Sequence, residues 1–248
     1  MKVSRFAKQA RFFHIVGGAC FGSQYARWLL RARSLGMLQL ERIFAVDRDP
    51  DCRLLREGPH DAAISVVCSD WVDYLTRLLL NQATPETVAA DHWVPSPLSP
   101  HILFLAMTRA AAELIPGLRW ESAAITEPVG VPVQIPLAGG NLAVSFAEWQ
   151  CPVNCIEPPT CPAIRGPRTW DMKATLEKHF SAERAFRSSH VLQCRHFVHG
   201  VGTIPMQDIL TEFARLLENL KSSPVQEFAV ATVSGCHGLI DVAHCRRL

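Results

Sequence analysis

The sequence predicts an α/β chain: a doubly wound, mainly parallel sheet interrupted by an insertion that carries a β-hairpin and a cysteine-rich segment. Three observations predict it. Short β-rich runs alternate with amphipathic helical stretches from Arg11 to Ile115. Prolines and a hairpin signal break that rhythm from about Leu118, and it returns between Val191 and Val233.

The first strand is "RFFHIV" (Arg11 to Val16), followed by a helix over "SQYARWLLRARSLG" (Ser23 to Gly36) that ends on glycine. "RIFAV" (Arg42 to Val46) is the second strand, and "DCRLLREG" (Asp51 to Gly58) a short helix. "AISVVC" (Ala63 to Cys68) gives a third strand and "WVDYLTRLLLNQ" (Trp71 to Gln82) its helix. "DHWVPS" (Asp91 to Ser96) is a fourth strand stopped by proline, before a helix from Ile102 to Ile115. In the insertion, spanning 118–190, "VPVQIPL" and "LAVSFAEW" flank "AGGN" (Ala138 to Asn141) as a hairpin. A helix from Lys173 to Phe180 follows. The returning units are a strand over "VLQCRHFV" (Val191 to Val198), a helix from Met206 to Leu220 and a strand over Glu227 to Val233. "HGVGTIP" (His199 to Pro205) reads as a strand-to-helix turn, with Thr203 as the helix cap and Pro205 near its first position. Residues 1–248 are thus expected to form one domain.

Composition narrows the function classes. Residues counted as hydrophobic make up 48% and charged ones 19%, a balance of packed domains rather than disordered chains. The formal charge of +2 creates no field that would draw in nucleic acid. "ILFLAM" (Ile102 to Met107) lies between His101 and Arg109, far short of the roughly 20 apolar residues that span a bilayer. The start "MKVSRFAKQARFFHIVGGAC" fits neither a signal peptide nor a lipoprotein site, since its apolar run is short and carries His14. A cytoplasmic protein without membrane insertion is expected, its oligomeric state open. In that compartment nine cysteines are not a disulfide framework, and the scattered Cys20, Cys52, Cys68 and Cys245 read as small packed side chains.

"IVGGACFG" (Ile15 to Gly22) joins the first strand to its helix, with glycines at Gly17, Gly18 and Gly22 and Ala19 at the middle fingerprint position. A turn of this kind lets a pyrophosphate approach the backbone at a helix N-terminus, where N–H groups are free. Phe21 precedes the last glycine. "AVDRDP" ends the second strand and places Asp47 where a carboxylate would accept hydrogen bonds from a ribose. Arg48, next to it, could instead hold a 2′-phosphate, so NAD and NADP both remain candidates. "CSDW" places Asp70 at the end of the third strand, on the adenine side. Together these motifs resemble the Rossmann dinucleotide-binding proteins, and over roughly the first 95 residues the nucleotide-binding domains of RCK-type potassium-uptake regulators. The resemblance implies an adenine-nucleotide site at Gly17, Gly18, Ala19, Phe21, Gly22, Asp47, Arg48 and Asp70, and no particular reaction. S-adenosylmethionine-dependent methyltransferases share the glycine turn and both acidic strand ends.

"CPVNCIEPPTCP" (Cys151 to Pro162) sets three cysteines in a C-x3-C-x5-C pattern on a proline-stiffened loop. Such a loop can wrap three thiolates around zinc or an iron–sulfur cluster. Cys151, Cys155 and Cys161 are the candidate ligands, with Cys194 as the fourth and Cys236 or His237 in "SGCHG" next. "RGPRTW" (Arg165 to Trp170) adds arginines and an aromatic beside the loop. The functional expectation is an adenine-dinucleotide-binding protein with a cysteine-ligated metal, acting as an oxidoreductase on an unknown small molecule. The alternative is a nucleotide-sensing regulatory module in which the metal is structural.

Overall fold

A computed structural model describes residues 7–81, 84–125, 127–152, 155–182, 186–223 and 225–248. The chain divides into two compact units, one of residues 1–99 with 196–210 and the other of residues 100–195 with 211–248. In chain order the elements are β1 (Lys8–Gln9), β2 (Phe12–Val16), α1 (Cys20–Ser34), β3 (Leu38–Gln39), β4 (Arg42–Asp47), α2 (Arg53–Glu57), β5 (Ile64–Cys68), α3 (Trp71–Leu80) and β6 (His92–Val94). They continue with α4 (Ile102–Leu114), β7 (Leu118–Ala123), β8 (Val133–Pro136), β9 (Leu142–Ser145), β10 (Thr160–Cys161), β11 (Gly166–Pro167), α5 (Met172–Ala182) and β12 (Phe186–Gln193). The last are β13 (Arg195–Val198), β14 (Val201–Pro205), α6 (Met206–Ser222), β15 (Val225–Val233) and β16 (His237–Arg247).

Mixed α/β character holds, but among the described residues the strands pair in two six-stranded sheets and two two-stranded ladders, β1-β3 and β10-β11, rather than one interrupted sheet. The first unit's sheet has the order β13-β14-β6-β2-β4-β5. Its β5, β4, β2 and β6 run parallel, in register pairs such as Ile15↔Ala45, Ala45↔Val66 and Ile15↔Val94. β14 runs antiparallel to β6, so the sheet is mixed. β2 is apolar at nearly every position, as a strand covered on both faces must be. Phe13, Ile15, Ala26, Leu29, Ile43, Ala45 and Val94 form this unit's core, each large aliphatic side chain contributing about 1.5–3 kcal/mol by leaving water.

Helix α1 buries Gly22, Tyr25, Ala26, Leu29 and Ala32, a stripe at helical spacing. It starts three residues earlier than predicted, and glycine does close it: the Gly36 and Met37 N–H groups donate to the Arg33 and Ala32 carbonyls, with Gly36 at φ +70. The predicted strand over Val191 to Val198 is two strands of different sheets, separated at Cys194. The predicted turn over His199 to Pro205 is also corrected. Positive φ at His199 and Gly200 turns β13 directly into β14, as two-residue hairpin loops require. Thr203 is therefore a buried strand residue facing His92, 3.2 Å from its Nδ1, rather than a helix cap.

The second unit's sheet runs β12-β15-β16-β9-β8, with β7 also pairing β16. Only β12 and β15 are parallel in it. The predicted hairpin is β8 and β9, paired from Val133↔Ser145 to Pro136↔Leu142. β7 and β16 are elements the sequence reading missed. β16 organises the unit: β15 lies along one edge, while β9 and β7 share the other. Val144, Met172, Leu176, Phe180, Ala231 and Ile240 pack its core beneath α5. No described helix is long and apolar enough to cross a membrane.

Candidate functional site

The glycine turn is built as its residues dictate. Gly17, at φ +85, donates its N–H to the Val46 carbonyl at 2.8 Å, clipping the end of β2 to β4. A Cβ on Gly22 would lie 1.7 Å from the Gly17 carbonyl oxygen, so only glycine permits the helix to start this close to the strand. At Gly18 a Cβ would fall 2.3 Å from the Cys52 sulfur. Its carbonyl accepts from Ser23 Oγ at 3.0 Å and from the Leu54 N–H at 2.8 Å. Ala19 occupies the α1 cap position without a side-chain hydrogen bond, and the first turn of that helix holds no acidic residue. The leading N–H groups of α1 thus lack a side-chain acceptor from the cap, as the start of an anion-binding helix does. Exposed Cys20 and partly buried Phe21 follow.

Asp47 joins this turn. Its Oδ2 accepts the Gly18 N–H at 2.6 Å and its Oδ1 the Asp49 N–H at 2.9 Å, which fixes the carboxylate at the end of β4 beside the glycines. Trp71 closes the same edge, its indole Nε1 donating to the Val46 carbonyl at 2.8 Å. Arg48 points to Asp70, donating from Nε at 2.7 Å and from Nη2 to the same oxygen. Asp70 also caps α3, accepting from the Val72 and Asp73 N–H groups. Burial works to raise the Asp70 carboxyl, but the Asp73 N–H and the Arg48 guanidinium outweigh it and hold the group below its usual range. The structure therefore gathers Gly17, Gly18, Ala19, Gly22 and Asp47 at one turn, and pairs Arg48 with Asp70. Sequence reasoning missed Cys52, Ser23 and Trp71. Trp71 directly follows Asp70, and the others carry no positional signal.

A second cluster surrounds the cysteine loop. Glu157, held at φ +51, accepts the Gly235 N–H at 2.8 Å and the Cys236 N–H at 3.2 Å through its two carboxylate oxygens. Its own N–H donates to Cys155 Sγ at 3.4 Å, and Arg168 Nη1 lies 3.5 Å from its Oε2. A Cβ on Gly235 would meet Glu157 Oε2 at 2.7 Å, so a side chain there would displace that carboxylate. Trp170 Nε1 donates to Cys236 Sγ at 3.2 Å, and the Trp149 ring stands 6.2 Å from that of Trp170. Cys161 is buried in the short β10–β11 ladder, opposite Gly166.

Burial pushes the Cys151 thiol up, and the neighbouring Cys155, Cys236 and Cys161 push it further. The Cys236 thiol is raised by burial as well, against the Trp170 N–H and Arg168. Cys194 is different. Its N–H donates to the Val233 carbonyl at 2.7 Å, and its thiol is pushed up to about 12 by burial, then by Glu157, with no cysteine among the causes. The Cys151 thiol thus responds to Cys236, whereas the Cys194 thiol responds to no loop cysteine. Among the described residues, no three His, Cys, Asp or Glu side chains are gathered closely enough to hold a metal ion, so the set Cys151, Cys155, Cys161 and Cys194 does not fit one as it stands.

No curated protein and no solved structure matches the chain. A family model described as "Uncharacterized protein, C-terminal domain" (AF_1314_C) matches residues 102–246. That span is more than half of the 248 residues, and the chain belongs to this family.

Proposed function

We propose that the first unit is an adenine-dinucleotide-binding module of the Rossmann type, and that it serves the protein as a nucleotide sensor. The observation that carries the reading is the Asp47 carboxylate, set 2.6 Å from the Gly18 N–H beside the start of α1. A pyrophosphate beside Ala19 would meet the leading N–H groups of α1, which no cap side chain engages, and the adjoining ribose would meet Asp47. Two further observations support it. The parallel strands β5, β4, β2 and β6 stand in the sequence order third, second, first, fourth, as in the dinucleotide-binding half-fold. Arg48 is engaged by Asp70, which leaves the carboxylate as the ribose partner and favours NAD over NADP.

Calorimetric titration of the full chain with NAD, NADP and S-adenosylmethionine tests this. NAD should bind saturably, one per chain, and more tightly than NADP. Asp47→Ala removes charge-assisted hydrogen bonds worth about 1.5–3 kcal/mol, and should weaken NAD roughly 10–100-fold. Unchanged affinity in that variant contradicts the site. Tight S-adenosylmethionine binding without NAD binding assigns the turn to a methyltransferase instead.

A further inference from the structure

We propose that Ser188, His190 and Glu212 form a nucleophile, base and carboxylate relay in the second unit, and that Ser188 takes the acyl group of small carboxylic esters. Ser188 and His190 stand two residues apart on β12, so both side chains leave the same face of the sheet. Glu212 of α6 meets them there. His190 Nδ1 lies 2.9 Å from Glu212 Oε2, and its Nε2 lies 3.3 Å from Ser188 Oγ. A carboxylate only accepts, so Nδ1 carries the ring proton and donates it to Glu212. In the neutral ring Nε2 is then the nitrogen with the lone pair, and the Ser188 hydroxyl donates to it. Reach, tautomer and direction are those that activate a serine. Arg215 Nη2 holds the same Glu212 oxygen at 2.6 Å and also donates to the Ser189 carbonyl, which ties the α6 carboxylate to β12. Burial holds the imidazole below its usual range against the pull of Glu212, so the ring is neutral and basic at neutral pH.

Position supports the same roles. His190 is 0% exposed, its ring 6.4 Å from that of Phe228, whereas Ser188 is only partly buried. The nucleophile thus stands where a substrate can meet it, and the base is shielded from water. β12 is the outermost strand of its sheet and pairs only with β15 among the described residues. Its ladder is irregular between Phe186 and Ser188, a local break of the kind that re-aims side chains beside reactive sites. Alternate N–H groups of an edge strand point away from the ladder, and they are the donors that an attacked carbonyl oxygen would meet there. In the reaction Ser188 Oγ bonds to the ester carbonyl carbon while its proton passes to His190 Nε2. The bond from that carbon to the alcohol oxygen then breaks, and the alcohol leaves with the proton. Water next attacks the acyl-serine, its proton passes through Nε2 to Ser188 Oγ, and the carboxylic acid departs.

The full chain is incubated with diisopropyl fluorophosphate at neutral pH and the adduct located by mass spectrometry, while release of p-nitrophenol from p-nitrophenyl acetate is followed in parallel. Ser188 Oγ should bond to phosphorus with loss of fluoride, one adduct per chain, and the labelled protein should release p-nitrophenol no faster than buffer does. Ser188→Ala should abolish both reactions. His190→Gln and Glu212→Gln should slow labelling roughly 10²–10⁴-fold. Glu212→Asp, which keeps an acceptor for Nδ1, should recover part of the rate, as a merely structural role for the carboxylate would not require. Circular dichroism of each variant separates a lost base from a lost fold. A folded chain that takes no label on Ser188 overturns the proposal. So does Ser188→Ala that turns over the ester at the wild-type rate, or Glu212→Gln that labels at that rate. Neither assay contains nucleotide, so failure here and failure of the nucleotide reading are told apart.

Discussion

At the scale of single residues, the glycine turn shows how much a sequence pattern specifies when sterics enforce it. Gly22→Ala would drive a methyl group to within 1.7 Å of a backbone oxygen that has nowhere to go. The variant should lose about 1–3 kcal/mol or more, read as a lower urea midpoint with an unchanged slope. Asp47 was legible for the same reason, since strand, turn and helix leave one place for the residue after Val46. Cys236 reads as a secondary ligand candidate, whereas its contacts with the Glu157 carboxylate and the Trp170 indole come from distant segments that no spacing in the sequence marks. Asp241 was invisible as well. It is 3% exposed on β16, and burial pushes its carboxyl up to about 7. Between about pH 4, where the unfolded chain ionises this carboxyl, and pH 7, the folded chain keeps a proton that the unfolded chain has lost. Stability should therefore fall as pH rises through that window, by an upper bound of about 4 kcal/mol, and level off above it. Asp241→Asn should flatten the decline. Urea denaturation of both proteins at pH 5 and pH 8 measures it, and parallel profiles would show that Asp241 is not the cause.

Elements with strong local patterns were legible, and those fixed by distant partners were not. α1, α3, α4, α5 and the β8–β9 hairpin follow helical or alternating periodicity, and their predicted bounds fall within a few residues of those observed. The run from Val191 to Val198 reads as one strand because both halves are β-formers, and only pairing reveals that β12 joins β15 while β13 joins β14. β16 escaped notice for a related reason. It is buried along most of its length between strands on both edges, so it lacks the alternation that marks a half-exposed strand. The β13–β14 turn offers a direct check. His199 takes φ +47, a conformation that costs an L-residue with a side chain about 1–2 kcal/mol, and its buried Nε2 has no hydrogen-bond partner among the described residues. His199→Gly should raise the thermal midpoint by a few degrees. A lowered midpoint would mean that the ring's packing outweighs the strain.

Across the whole molecule, chain order and spatial units diverge. The first unit takes residues 1–99 and then residues 196–210, and its core includes Val198 and Val201. A fragment ending at Ser99 keeps every part of the proposed nucleotide turn but exposes the edge of β6 and loses those side chains. It should therefore be largely unfolded or aggregated by circular dichroism and light scattering, while a cooperatively folded fragment would show that β13 and β14 are dispensable. The expectation of a single sheet failed because the change of rhythm from about Leu118 reads as an insertion, whereas it begins a second sheet whose strand partners carry no signal in the sequence. Nucleotide recognition remains the central claim, and it concerns a few backbone atoms. Their most direct test is the amide NMR spectrum of the full chain titrated with NAD. The Gly18, Ala19 and Cys20 amide resonances should shift in saturable proportion to ligand, and these shifts should weaken together in Asp47→Ala. Resonances of the turn that stay in place while NAD is in excess would contradict a dinucleotide site at Gly17 to Gly22.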